Sequence, residues 1–93
     1  MTALLVTVEI SVHDLRVWRL SEGITPDAIR FGVAIPLERG ARVRLRFELP
    51  GGAAVDTEGE LVDDHEIALD PAPPQRLAIE AAIEAYLKEQ ADS

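Results

Sequence analysis

The stretch RVWRLSEGI holds the densest group of side chains in this chain that could bind a ligand. Arg16 and Arg19 flank Trp18, and Ser21 and Gly23 follow closely. Guanidinium groups bind phosphates and carboxylates through paired hydrogen bonds, and a neighbouring aromatic ring can anchor a partner. The stretch therefore predicts either a site for an anionic ligand or a bend of the chain without one. The candidate ligand-binding residues are Arg16, Arg19, Ser21 and Gly23.

Two further features could form an interaction surface. Trp18 is the only tryptophan, and it either packs in the core or lies exposed for contact with a partner. Arg42, Arg44 and Arg46 alternate with apolar residues and point outward from their strand. They either pair with acids of the next strand or form a basic binding stripe.

Catalytic and metal-binding patterns are missing from the sequence. There is no cysteine, and neither histidine has a second ligand at a metal-binding spacing. The acidic run Asp63–Glu66 is typical of a solvated hairpin end, and no glycine-rich phosphate loop is present. We therefore predict no catalytic residue, no metal, no cofactor and no enzymatic activity.

Length and charge further restrict the possible partners and locations of the protein. The 93 residues carry a net charge of −8 and predict one domain over 1–93. Residues 1–49 carry +1 and residues 50–93 carry −9, which disfavours nucleic acid as a partner. No apolar run is long enough for membrane insertion. The start of the chain reads as a strand rather than a signal peptide, and the lack of cysteine fits a reducing compartment, so we expect a cytoplasmic protein.

Hydropathy patterns predict a mainly β fold. Period-two alternation is typical of half-buried strands, and from Pro74 the apolar residues follow a helical period with Leu87 on the apolar stripe. Short strands in this number curl readily into a small antiparallel barrel or half-barrel that a terminal helix covers. The predicted strands, within about 4–70, are 4–12, 15–20 (a continuation of the first or a second strand), 29–35, 41–49, 54–62 and 65–70, and the helix is about 74–89.

Three local expectations can be checked directly. Ser21–Asp27 has the composition of a turn. In the strand predicted over 29–35, Val33 lies on the inward face with its apolar neighbours. A short loop after Pro50 would set Leu49 opposite Val55. The same register sets Arg46 opposite Glu58 and Arg44 opposite Glu60.

This order of features resembles the PilZ domain family. The resemblance rests on RLSEGI, on IPLERGARVRLRFELPGG with the returning strand AVDTEGELV, and on the helix QRLAIEAAIEAYL. It implies a six-stranded antiparallel β-barrel with one C-terminal helix, as in bacterial domains that often bind cyclic di-GMP. The likeness covers residues 5–88 and supports the fold more than the activity.

The ligand motifs of that family are largely absent. Members that bind cyclic di-GMP carry Arg-x-x-x-Arg near the start, but residues 1–15 contain no arginine. In the second motif, Asp/Asn-x-Ser-x-x-Gly, Ser21 matches the serine, while Arg19 stands in place of the acid and Ile24 in place of the last glycine. The resemblance implies a member without the usual recognition groups.

We therefore expect a regulatory or adaptor domain that acts by protein–protein interaction, in motility or another regulated surface process. Its partner is an unidentified protein or a second copy, joined through an exposed strand edge or the helix. One alternative is an atypical cyclic di-GMP receptor that uses Arg16, Arg19 and Ser21. Another is a purely structural β-barrel module.

Overall fold

The computed structural model describes residues 1–92, which form a closed six-stranded antiparallel barrel and one helix. Around the barrel the strands follow the order β1-β2-β3-β6-β5-β4, and β4 closes the circle by pairing with β1. This confirms the predicted fold class. The elements are β1 (Thr7–Val12), β2 (Leu15–Thr25), β3 (Ala28–Phe31), β4 (Arg42–Glu48), β5 (Ala54–Asp63), β6 (Glu66–Asp70) and α1 (Pro73–Asp92).

Strict alternation of apolar and polar residues produces the barrel, because every second side chain of a strand points to the same face. β4 and the first eight residues of β5 alternate between exposed and buried positions without exception. The buried core is apolar and draws on every strand and the helix. It consists of Leu4, Val6, Val8, Ile10, Ile24, Ile29, Phe31, Ile35, Val43, Leu45, Phe47, Leu49, Val55, Leu61, Ile67, Leu69, Ile79 and Ala82.

The first two predicted strands are joined by a tight hairpin turn. His13 and Asp14 connect β1 to β2, and His13 takes a φ of 51°. A positive φ fits the right-handed twist of two strands joined by a two-residue loop. Residues 15–20 therefore begin a second strand and do not continue the first.

The turn predicted over Ser21–Asp27 is wrong. β2 continues to Thr25, with a bulge between Ser21 and Gly23, and the chain reverses only at Pro26 and Asp27. Backbone pairing on both sides outweighs the local turn preference: the N–H of Ser21 bonds to Val6, and β3 pairs along the other edge.

The strand predicted over 29–35 is too long. β3 ends at Phe31, and Val33 points outward with 63% of its surface exposed. The N–H groups of Phe31 and Ile35 bond to His65 and Asp64 respectively, so the segment between them loops away from the sheet. Ile35 returns to the core as predicted.

The predicted register of β4 and β5 is wrong by two residues. Val55 lies opposite Phe47, because the turn falls one residue earlier than expected and bonds the N–H of Leu49 to the carbonyl of Ala53. Gly51 and Gly52 supply the positive φ angles of that turn. A shift of two leaves every side chain on its face, so the apolar pattern could not exclude it.

The helix α1 packs against β2 and β5 and buries Ile79 and Ala82. Its first turn is joined to the turn after β2 by Arg76, whose guanidinium donates to Asp27 at 2.6 Å. Leu87, predicted on the buried stripe, is 53% exposed, and the residues that follow it up to Ala91 are exposed as well.

Candidate functional site

The candidate ligand residues lie on β2, and the strand separates them onto two faces. Arg16 and Trp18 are exposed on the outer face, while Arg19 is half-buried and Ser21 and Gly23 are buried on the inner side. Residues three apart in a strand point in opposite directions. Arg16 and Arg19 therefore cannot grip one ligand from the same side of the sheet.

Ser21 is bound to the backbone of its own chain. Its hydroxyl donates to the carbonyl of Leu4 at 2.6 Å and accepts from the N–H of Val6 at 2.8 Å. The residue is 1% exposed. This hydroxyl holds the segment before β1 against β2 and faces no solvent.

Gly23 is covered by the start of the chain. The side chain of Met1 lies so close that a Cβ on Gly23 would be 3.1 Å from the sulfur. Thr2 and Ile24 exchange two backbone hydrogen bonds of 3.2 and 2.8 Å across the same segment. Residues 1–6 thus lie against the Ser21–Gly23 segment of β2.

The two arginines have different partners. Arg16 forms an ion pair of 3.5 Å with Glu9 on β1. Arg19 donates through Nη1 to the carbonyl of Trp18 at 3.0 Å, and its Nε is buried with no hydrogen-bond partner within residues 1–92. A buried donor without a partner is costly, so the Nε of Arg19 is the candidate group with the most to gain from a ligand.

Trp18 is exposed, which decides between the two alternatives for its environment. It shows 57% of its surface, and Leu20, Leu5 and Val33 show 56, 63 and 63%. These four side chains share the outer face around β1 and β2, and we name them the β1–β2 patch. Contiguous exposed apolar surface on a small protein marks interaction sites.

A groove of about 270 Å³ lies within this patch. It is lined by six residues: Leu5, Leu20, Ser21, Glu22, Gly32 and Val33. Sequence reasoning missed Leu5 and Leu20, although both are leucines at outward positions of alternating strands. It missed Val33 because the end of β3 was misplaced.

The arginine row on β4 is paired with acids of β5. Arg42 lies 3.6 Å from Glu58, and Arg44 and Arg46 each lie 3.7 Å from Asp56. The sequence left open whether this row pairs across the ladder or forms a free basic stripe. Pairing is observed, and such exposed pairs contribute only tenths of a kcal/mol each.

Other classes of site find no support in the part of the chain that the structure describes. Within residues 1–92 no three His, Asp or Glu side chains are grouped as metal ligands. No helix in this range is both long and apolar enough to cross a bilayer.

No protein-family model matches this chain, and no curated protein matches it. Among solved structures, the fold is similar to that of the Bacillus subtilis inhibitor of motility, MotI/DgrA, with a TM-score of 0.76 and 19% identity. The alignment covers 94% of this chain and 49% of that one, so this chain spans about half the length of its structural neighbour. The likeness shows that the chain has the PilZ-like barrel fold.

Proposed function

We propose that this chain is a regulatory PilZ-like domain that acts by contacting protein and does not bind cyclic di-GMP in the usual way. One observation carries the proposal: the residues that remain of the ligand motif are bonded to, or covered by, the first residues of the chain itself. The Ser21 hydroxyl is bonded to Leu4 and Val6, and Met1 covers Gly23. A ligand would have to displace residues 1–6 to reach these groups.

The regulatory role is supported by the fold and by one neighbour. The structural neighbour is named as an inhibitor of motility, which makes motility or another regulated surface process the class of pathway we propose. The lack of cysteine fits a place of action in the reducing cytoplasm. A fold alone does not determine function, so the site must carry the remaining argument.

Contact with protein is supported by the chemistry of the outer face. The β1–β2 patch presents an exposed tryptophan beside three aliphatic side chains, which is the composition of a contact surface. The arginines of β4 are already paired with acids and offer little net attraction to a phosphate ligand.

Calorimetric titration with cyclic di-GMP tests the proposal. We expect no saturable heat up to about 1 mM ligand, which corresponds to binding weaker than about −4 kcal/mol. Saturable micromolar binding to the wild-type chain would contradict it.

The second candidate, an atypical cyclic di-GMP receptor, is favoured by the unpartnered Nε of Arg19. If this candidate is correct, micromolar binding disappears in Arg19→Ala and persists in Arg39→Ala. Arg39 is the matched control because it is exposed in the connection between β3 and β4.

A further inference from the structure

The β1–β2 patch contains both a projecting side chain and a groove that could receive one. Trp18 projects from β2, and the groove begins at Leu20 and extends over Glu22 to Gly32 and Val33. Its volume of about 270 Å³ is below the roughly 300–1,000 Å³ of pockets that hold small molecules. One large side chain is a better match for it than a soluble ligand.

These two features are arranged as a two-fold contact requires. In an isologous interface, residue i of one copy contacts residue j of the other, and the reverse contact follows. Trp18 lies two residues before Leu20, about 7 Å away along the strand, and Glu22 lies two residues after it, within the bulge between Ser21 and Gly23. A two-fold axis over Leu20 therefore brings Trp18 of one copy to Glu22 and the groove of the other.

The groove offers a polar partner as well as apolar walls. Glu22 lines the groove, and its Oε2 lies 3.6 Å from the position that a Cβ on Gly32 would take. An indole N–H is a donor only and needs an acceptor when it becomes buried. Glu22 supplies that acceptor in the two-fold arrangement.

The patch is large enough to form the apolar centre of a dimer interface. At the observed exposures, the four patch residues present on the order of 450 Å² of mainly apolar surface. A stable interface buries about 800 Å² on each partner, with an apolar centre and a polar rim. The patch supplies that centre, and the pair Arg16–Glu9 beside it supplies part of the rim.

The charge distribution allows a second copy on this face. The net charge of the chain is −8, and it is unevenly distributed: residues 1–49 carry +1 and residues 50–93 carry −9. In the barrel order β5 lies opposite β2, so the outward acids Asp56, Glu58 and Glu60 point away from the patch. Two copies that meet at β2 keep their acidic sides apart, which limits repulsion between them.

We propose that a second copy of this chain packs on the β1–β2 patch across a two-fold axis near Leu20, with Trp18 of each copy in the groove of the other. The proposal rests on the proposed function only in taking this face as a protein-contact surface. It names the partner as the same chain.

Sedimentation velocity and tryptophan fluorescence of the full chain test this arrangement together. Because Trp18 is the only tryptophan, its emission reports directly on burial of the patch. Between about 1 µM and about 1 mM we expect a shift from monomer to dimer, accompanied by a blue shift of the emission. Leu20→Glu should weaken the dimer more than about thirtyfold, and Trp18→Ala should do the same in sedimentation.

Leu77→Glu is the matched control, because Leu77 is 65% exposed on α1 and lies outside the patch. It should leave the dimer unchanged. Circular dichroism checks that each variant is folded, and the wild-type emission gives a result that needs no variant.

Three outcomes would overturn the proposal. The first is a monomer with constant emission over the whole range, and the second is a dimer that Leu77→Glu disrupts and Leu20→Glu does not. The third is an emission shift that requires a different protein, which would assign the patch to that partner. None of these outcomes changes the cyclic di-GMP titration, so failure here is separate from failure of the proposed function.

Discussion

Removal of the Ser21 hydroxyl tests whether this residue is structural. Ser21→Ala deletes a donor to Leu4 and an acceptor for Val6, at bonds of 2.6 and 2.8 Å. Because Ser21 is 1% exposed, water cannot easily replace either bond. Each stranded backbone group costs about 1–3 kcal/mol, so we expect a total loss of about 2–6 kcal/mol for the two groups. That is a large part of the roughly 5–15 kcal/mol that stabilises a domain.

Urea denaturation at neutral pH measures this loss. The midpoint should fall with the m-value unchanged, and the Tm should drop by roughly 10–30 °C. Ser11→Ala is the control, since Ser11 is half-buried on the outer side of β1 and should change stability by less than about 0.5 kcal/mol. An equally small effect of Ser21→Ala would refute the structural role and return the hydroxyl to the candidate ligand site.

Two other substitutions test the framework. Gly59→Ala should cost more than about 2 kcal/mol in urea denaturation, because its Cβ would lie 2.6 Å from the backbone oxygen of Ala68. Gly32→Ala, where the nearest atom is 3.6 Å away, should be nearly neutral; equal effects would contradict this reading of β5. The hydrogen bond from Arg76 holds the pKa of Asp27 below its usual value. The stabilisation from this pair is therefore present above the unfolded pKa and is lost as the pH falls through the lowered folded value. In an NMR titration, Arg76→Gln should raise the pKa of Asp27 toward its usual value, and an unchanged midpoint would show that the contact is not formed in solution.

The barrel could be predicted because its strands alternate clearly. In β4, Arg42–Glu48, charged residues alternate strictly with buried apolar residues. This pattern permits only one assignment of the inner and outer faces. The helix was predictable for the same reason, from its change of period after Pro74. Closure of the sheet also corrects the expectation of association through an exposed strand edge, since each of the six strands is paired on both sides.

Features that depend on pairing between distant segments could not be predicted. The residues Ser-Glu-Gly have turn preferences, yet Ser21–Gly23 lies within β2 because residues 1–6 and β3 pair along it. The position of Val33 depends on bonds from Phe31 and Ile35 to the turn before β6. Neither contact can be inferred from local sequence, because each joins segments that are distant in the chain. Tertiary pairing therefore overrides the local preference.

The geometry of β2 favours contact over ligand capture at this site. A strand sends residues three apart to opposite faces, so Arg16 and Arg19 are separated although both have the right chemistry for an anion. Residues two apart share a face, so the same strand joins Trp18 to Leu20 on the surface. The hydrogen bond from Ser21 to Leu4 ties the segment before β1 to this strand. For this reason an anion site here would require a change in the strand itself, whereas a contact surface requires only the alternation that already builds the barrel.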